Sequence, residues 1–164
     1  MAIIIAGLKT AIIIEDGSIV ANANSYATEA EMTTYAADRG VTIKGTRAIL
    51  LIQAMDFIDG KRFIGSKLDI NQSLQWPRTG VLIDGFYIPV DSIPISLKEA
   101  QIEVALAYDT YNNPLAIQGR ETRREKIGEI EVEYTGGSSP AIYLTGAENK
   151  MRKLVNYKVM ASRA

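Results

Sequence analysis

The sequence contains no cysteine and no histidine. No disulfide can form, and the thiolate, the imidazole base and the nitrogen–sulfur zinc site of many enzymes are excluded. A carboxylate site for magnesium or calcium stays open, as does catalysis by carboxylate or lysine. Because nothing else in the chain completes such a site, we expect no catalytic residue, no metal, no cofactor and no enzymatic activity.

Long apolar runs and an excess of either charge are also missing. The apolar stretches at residues 1–8 and 11–14 are too short to cross a bilayer and follow no basic segment, so we expect no membrane partner. The formal net charge is -1, whereas proteins whose main partner is a nucleic acid normally carry an excess of basic residues. The charge balance therefore argues against nucleic acid as the main partner.

The isoleucine-rich residues 1–14 predict short strands. They suit a strand inside the domain, and they equally suit an arm that pairs with a neighbouring subunit. In both cases the segment is covered, because an exposed apolar triplet would aggregate.

Three helices are predicted within residues 28–112. The first begins at Thr28, whose hydroxyl and the Glu31 carboxylate form a capping box. The second begins at Thr46 with a wide apolar stripe typical of a central helix. The third begins at Ser96, which with Glu99 predicts another capping box, with Ile95 as a hydrophobic staple.

The helical period disappears between residues 61 and 94. Asp84 and Gly85 separate two apolar runs, 81–83 and 86–88, which predicts a β-hairpin. Trp76 is expected to fill the helical core, and Arg78 to make a buried or interface salt bridge.

Acidic and apolar residues alternate strictly at residues 128–134, which predicts a strand with one acidic face. Such a row binds a cation, is solvated, or meets a basic partner. We favour the last, with the acidic strand of one subunit facing the basic stretch of the next. The residues predicted at this inter-subunit contact are Arg120, Arg123, Arg124, Glu129, Glu131 and Glu133.

The predicted fold is mainly α: a small helical bundle of three main helices with a β-hairpin or loop insertion, a C-terminal strand and extended terminal segments. Residues 1–135 are expected to form one domain, and residues 136–164 an extended tail. From residue 141 onward the tail is locally basic, and it also suits a short helix.

Several motifs together resemble a known family. They are Glu15-Asp16-Gly17, Asn22-Ala23-Asn24-Ser25-Tyr26, Ala54-Met55-Asp56-Phe57-Ile58-Asp59-Gly60, Phe63, Leu74-Gln75-Trp76-Pro77-Arg78, Ile93-Pro94, the helix-three residues Ala100, Glu103 and Ala105, and residues 128–134. In this order, over residues 12–135, they resemble small proteins of tailed bacteriophages and prophages. These proteins are often labelled DnaT-like single-stranded DNA-binding and look like head–tail adaptor (connector) proteins.

The resemblance implies a virion protein, made in the host cytoplasm, that forms a twelvefold ring at the neck between portal and tail. Its partners would be further copies of itself, the portal protein, a downstream neck or tail-terminator protein, and genomic DNA that passes the bore without sequence readout. The alternative is single-stranded DNA binding. The tail would dock on the portal through Lys150, Arg152, Lys153, Tyr157 and Lys158. Removing residues 141–164 is expected to abolish portal binding and to leave the helical fold intact.

Overall fold

The computed structural model describes residues 11–111, 122–127, 130–135 and 144–156. Its elements, in chain order, are α1 (Glu29–Ala37), α2 (Arg47–Asp59), β1 (Ser66–Lys67), β2 (Arg78–Thr79), β3 (Leu82–Ile83), β4 (Phe86–Tyr87), α3 (Ile95–Tyr111), β5 (Thr122–Ile127), β6 (Ile130–Thr135) and α4 (Thr145–Met151). The strands form three separate two-stranded antiparallel sheets. The prediction of a mainly α fold with a small hairpin is confirmed.

Local sequence rules account for both ends of α1. The Glu31 N–H donates to the Thr28 hydroxyl and the Thr28 N–H donates to the Glu31 carboxylate, so the predicted capping box is present. The helix ends where Gly40 takes a φ of 64°, a left-handed conformation that glycine adopts without strain. The Gly40 N–H donates to the Ala37 carbonyl.

The centre of the fold is the pair α2 and α3, which pack along each other. α1 packs on both of them, and α4 packs on α3. The capping box predicted at Ser96 is not formed, because Ser96 lies inside α3 and the helix begins at Ile95. The N–H groups of Leu97 and Lys98 donate to the Pro94 carbonyl, and the fixed φ of proline suits the start of a helix. Ile95 is exposed rather than acting as a staple.

The insertion between α2 and α3 contains the predicted hairpin. Leu82 pairs with Tyr87 and Ile83 with Phe86. Asp84 and Gly85 both have positive φ, 52° and 87°, as a type I′ turn requires.

The C-terminal strand predicted at 128–134 is one half of a longer element. β6 covers most of the predicted strand and pairs with β5. β5 lies in the basic stretch, for which the sequence predicted no secondary structure. Alternation of apolar residues is the usual strand signal, and β5 has none because most of its residues are charged.

Residues 144–156 differ most from the sequence prediction. The short helix that this stretch also suited is present as α4, but it lies inside the domain, where α4 and the turn after it bury Leu144, Met151 and Leu154 in the common core. The backbone after α4 pairs with the start of the insertion, since the Ile64 N–H donates to the Leu154 carbonyl. The domain therefore includes this part of the predicted tail.

Candidate interaction surface

Large apolar side chains lie exposed on the insertion. Ile70 is 90% exposed, Phe86 75% and Tyr87 77%, and Leu82 and Val90 are about half exposed. Phe86, Tyr87 and Leu82 share the β3–β4 hairpin. Covering a phenylalanine or leucine side chain is worth about 1.5–3 kcal/mol, so this surface gains from contact with a partner.

The hairpin is fixed to the core at its base. Val81, just before β3, is fully buried, and the Ile88 N–H, just after β4, donates to the Val81 carbonyl at 3.0 Å. Ile83 and Ile88 also pack against the core. The exposed apolar residues of the hairpin therefore extend from a base that is packed against the core.

A buried glutamine links three parts of the chain. Gln101 of α3 has 0% exposure. Its amide oxygen accepts from the N–H groups of Tyr26 and Ala27 at 2.9 and 3.0 Å. Its amide nitrogen donates to the Ser25 hydroxyl and the Leu51 carbonyl at 2.8 and 2.9 Å. Gln101 thus joins the segment before α1 to α2 and α3.

The segment around the single tryptophan is held in the same way. Trp76 has 0% exposure, and its backbone N–H donates to the Tyr26 hydroxyl at 3.1 Å. Burial raises the pKa of Tyr26. The Gln75 N–H donates to the Asp59 carboxylate, and burial raises the pKa of Asp59 above its usual value of 3.8. These bonds fix the insertion to α2 and to the segment before α1.

Arg78 departs from the predicted salt bridge. Its guanidinium donates to the backbone carbonyls of Ile64, Gly65 and Gln75 at 2.7 to 3.1 Å, and no carboxylate pairs with it among the described residues. Burial lowers the pKa of the Arg78 guanidinium below its usual range. An arginine fork offers five donors, which suits a loop whose carbonyls lack ladder partners.

A buried carboxylate organises the loop before α1. Glu15 has 0% exposure and accepts from the N–H groups of Gly17, Ile19 and Val20 at 2.9 to 3.0 Å. Gly17 has a φ of 108°, and a Cβ there would lie 2.0 Å from the Asp91 carbonyl oxygen. The Glu-Asp-Gly motif therefore packs this loop against the end of the insertion.

Two lysines predicted to bind the portal are already paired within the chain. Lys150 pairs with Glu99 of α3, and Lys153 pairs with Asp84 in the hairpin turn. Arg152 is exposed. Tyr157 and Lys158 lie outside the described residues.

Four of the residues predicted at subunit contacts lie on the paired strands β5 and β6 of one chain. The register of β5 and β6 places Arg124 opposite Glu133 and Lys126 opposite Glu131, with Arg123 opposite Tyr134. Arg120 and Glu129 lie outside the described residues.

A groove of about 560 Å³ lies between α1 and α3. Two of the three acidic residues that line it are paired, Glu31 with Lys98 at 2.9 Å and Glu99 with Lys150, and the third is Asp38. Within the described part of the chain, no three Asp or Glu residues come close enough to hold a metal ion. The same part contains no helix long and apolar enough to cross a membrane.

The family model described as "Putative DnaT-like ssDNA binding protein" matches residues 10–164. The chain belongs to this family. Membership in the DnaT-like family extends through α4, beyond the stretch on which the resemblance rested. No curated protein and no solved structure matches the chain.

Sequence reasoning missed Gln101 and Glu15. Gln101 interrupts the apolar stripe of Leu97, Ala100 and Val104 on α3, and a polar residue in such a stripe is the signal that would have found it. Glu15 was named only as part of the motif Glu15-Asp16-Gly17, and nothing in the sequence indicated its burial, because charged residues in loops are usually solvated.

Proposed function

We propose that the chain is a structural, non-enzymatic subunit of the tailed-phage neck, a head–tail adaptor that forms a ring below the portal. The exposed apolar surface of the braced insertion carries this proposal. Phe86 and Tyr87 are held out from a buried base, and such a surface suits a protein partner more than solvent. The portal protein and a downstream neck or tail-terminator protein are the partners proposed with it.

The charges of the described residues support a protein partner over nucleic acid. Lys61, Lys98, Lys150 and Lys153 are each paired with a carboxylate, and Arg78 is occupied by backbone carbonyls. With a net charge of -1, the chain also lacks the overall basic excess that proteins binding a phosphate backbone normally carry. Genomic DNA passing through a bore requires no basic surface, because it has to slide.

Single-stranded DNA binding is the second candidate, and two observations favour it. The family description names this activity. In addition, Phe86 and Tyr87 are exposed aromatic residues on opposite faces of β4, and aromatic side chains stack on unpaired bases. The nearest charge pair, Lys153 with Asp84, is neutral in sum, so the hairpin offers the stacking surface without the phosphate contacts.

Assembly separates the two functions. The full-length chain would be expressed with the portal protein of the same phage, and complexes examined by electron microscopy and native mass spectrometry. We expect a ring seated on the portal. Phe86→Ser should weaken assembly about ten- to hundredfold, since the lost burial is worth about 1.5–3 kcal/mol. Val41→Ser, which removes an exposed apolar side chain outside the insertion, is the matched control and should leave assembly unchanged.

The same preparations answer the DNA question. Fluorescence anisotropy with a labelled single strand would be measured at two salt concentrations. Micromolar or tighter binding with a steep salt slope, together with no assembly on the portal, would replace the adaptor function by DNA binding.

A further inference from the structure

The β5–β6 hairpin has two edges of opposite charge. β5 holds three basic residues, Arg123, Arg124 and Lys126, against one acidic residue, a net charge of +2. β6 holds Glu131 and Glu133 and no basic residue, a net charge of -2. β5 is therefore the basic strand of the hairpin, and β6 is the acidic strand.

Both outer edges are open within the described residues, where β5 and β6 pair only with each other. An isolated two-stranded hairpin is marginally stable in water, and three or more strands are normally needed. Open edges also accept a further strand readily, because their N–H and C=O groups have no ladder partner.

We infer that neighbouring copies of this chain join through these hairpins, the acidic β6 of one copy lying beside the basic β5 of the next. The inference rests on the proposed ring function and specifies the contact between its subunits. Since β5 and β6 are antiparallel within a chain, copies in the same orientation add strands in one continuous antiparallel sheet.

Charge decides between this arrangement and the alternatives. Joining β6 to β6 would set Glu131 and Glu133 against their own copies, and joining β5 to β5 would do the same with the basic residues. Only β6 beside β5 sets strands of opposite net charge next to each other, and the intrachain register likewise places Arg124 opposite Glu133. Such a contact is heterologous, the type from which rings are built.

A charge-swapped chain tests the inference. The fourfold variant R124E/K126E/E131K/E133K inverts both edges and keeps opposite charges facing each other inside the hairpin. It should assemble with itself as the wild type does. Wild-type and swapped copies should exclude each other, because every mixed contact sets like charges side by side.

The two chains, with tags of different mass, would be co-expressed and their oligomers counted by native mass spectrometry, on the portal if the free chain stays monomeric. We expect mixed oligomers at less than about a tenth of the binomial proportion, equivalent to about 1.4 kcal/mol. Mixed oligomers in binomial proportion would overturn the inference and leave the ring function standing. A folded swapped chain that does not self-assemble would also overturn it.

Two further outcomes are covered. A wild type that assembles neither alone nor on the portal would remove the proposed function and this contact together. Should the fourfold variant fail to fold, as judged by circular dichroism, E131Q/E133Q takes its place. It removes the acidic edge and should weaken assembly at least tenfold, and unchanged assembly would overturn the inference.

Discussion

Replacing Gln101 by methionine tests whether the buried amide holds the fold together. Methionine has similar length and fills the site without a large cavity, so the change removes hydrogen bonds more than volume. The Tyr26 and Ala27 N–H groups, which donate to Gln101 at 2.9 and 3.0 Å, would be left buried without an acceptor. Each orphaned donor costs about 1–3 kcal/mol, so we expect a loss of about 2–6 kcal/mol.

Urea unfolding of the purified full-length chain, followed by circular dichroism, measures the loss as a lower midpoint at unchanged slope. Gln53→Met is the matched control, because Gln53 is exposed on α2, and its effect should stay within about 0.5 kcal/mol. A loss below about 1 kcal/mol for Gln101→Met would refute the reasoning. It would mean that the backbone donors find other acceptors and that the amide is not the link between these segments.

Two other predictions concern Asp59 and the C-terminal residues. Burial raises the pKa of Asp59 in the folded state, so as pH rises Asp59 loses its proton in the unfolded chain before it does so in the folded chain. The free energy of unfolding therefore falls as pH rises from the unfolded-state pKa of Asp59 through its higher folded-state pKa. Asp59→Asn keeps an oxygen acceptor, and its stability relative to wild type should therefore be higher at pH 7 than at pH 3; an equal difference at both pH values in urea unfolding would contradict this. Removing residues 157–164 should leave the unfolding midpoint nearly unchanged, whereas removing 144–164 deletes buried Met151 and Leu154 and should cost at least about 4 kcal/mol. Equal midpoints for the two truncated chains would show that α4 adds no stability.

The truncation pair also replaces the experiment suggested by the sequence. Deleting residues 141–164 was expected to spare the fold, yet it removes α4 from the core, so a loss of portal binding would have two causes. Deletion of 157–164 removes Tyr157 and Lys158 alone from the predicted portal-binding set. It therefore tests their role with the core intact.

Elements governed by neighbouring residues were predictable from the sequence. The capping box at Thr28 and the turn at Asp84 and Gly85 depend on residues three positions apart or adjacent, so their chemistry is visible in the chain itself. The breadth of the apolar stripe on α2 likewise indicated a central helix, and α2 does pack along α3.

Features that depend on distant residues were not predictable. The bonds of Gln101 to Tyr26 span 75 positions, and those of Arg78 depend on carbonyls that only the folded loop brings together. α4 has seven residues, too few to be stable alone, and forms because Met151 is buried. Local basic charge in that stretch suggested a solvated tail, since the burial of its apolar residues cannot be read from composition.

The residues on which the family resemblance rests are mostly buried, and this limits what they can do. Glu15, Tyr26 and Trp76 each have 0% exposure. The Glu15 carboxylate accepts from backbone N–H groups of its own loop, and the Tyr26 hydroxyl accepts from the Trp76 backbone N–H. A side chain in that position cannot contact a ring neighbour, a portal or a DNA base. The motifs therefore specify how the insertion is fixed to the helices, while any partner is chosen by side chains outside them, such as Phe86 and Tyr87. Family membership accordingly predicts the scaffold, and the identity of the partner has to be decided by substitutions at the exposed hairpin.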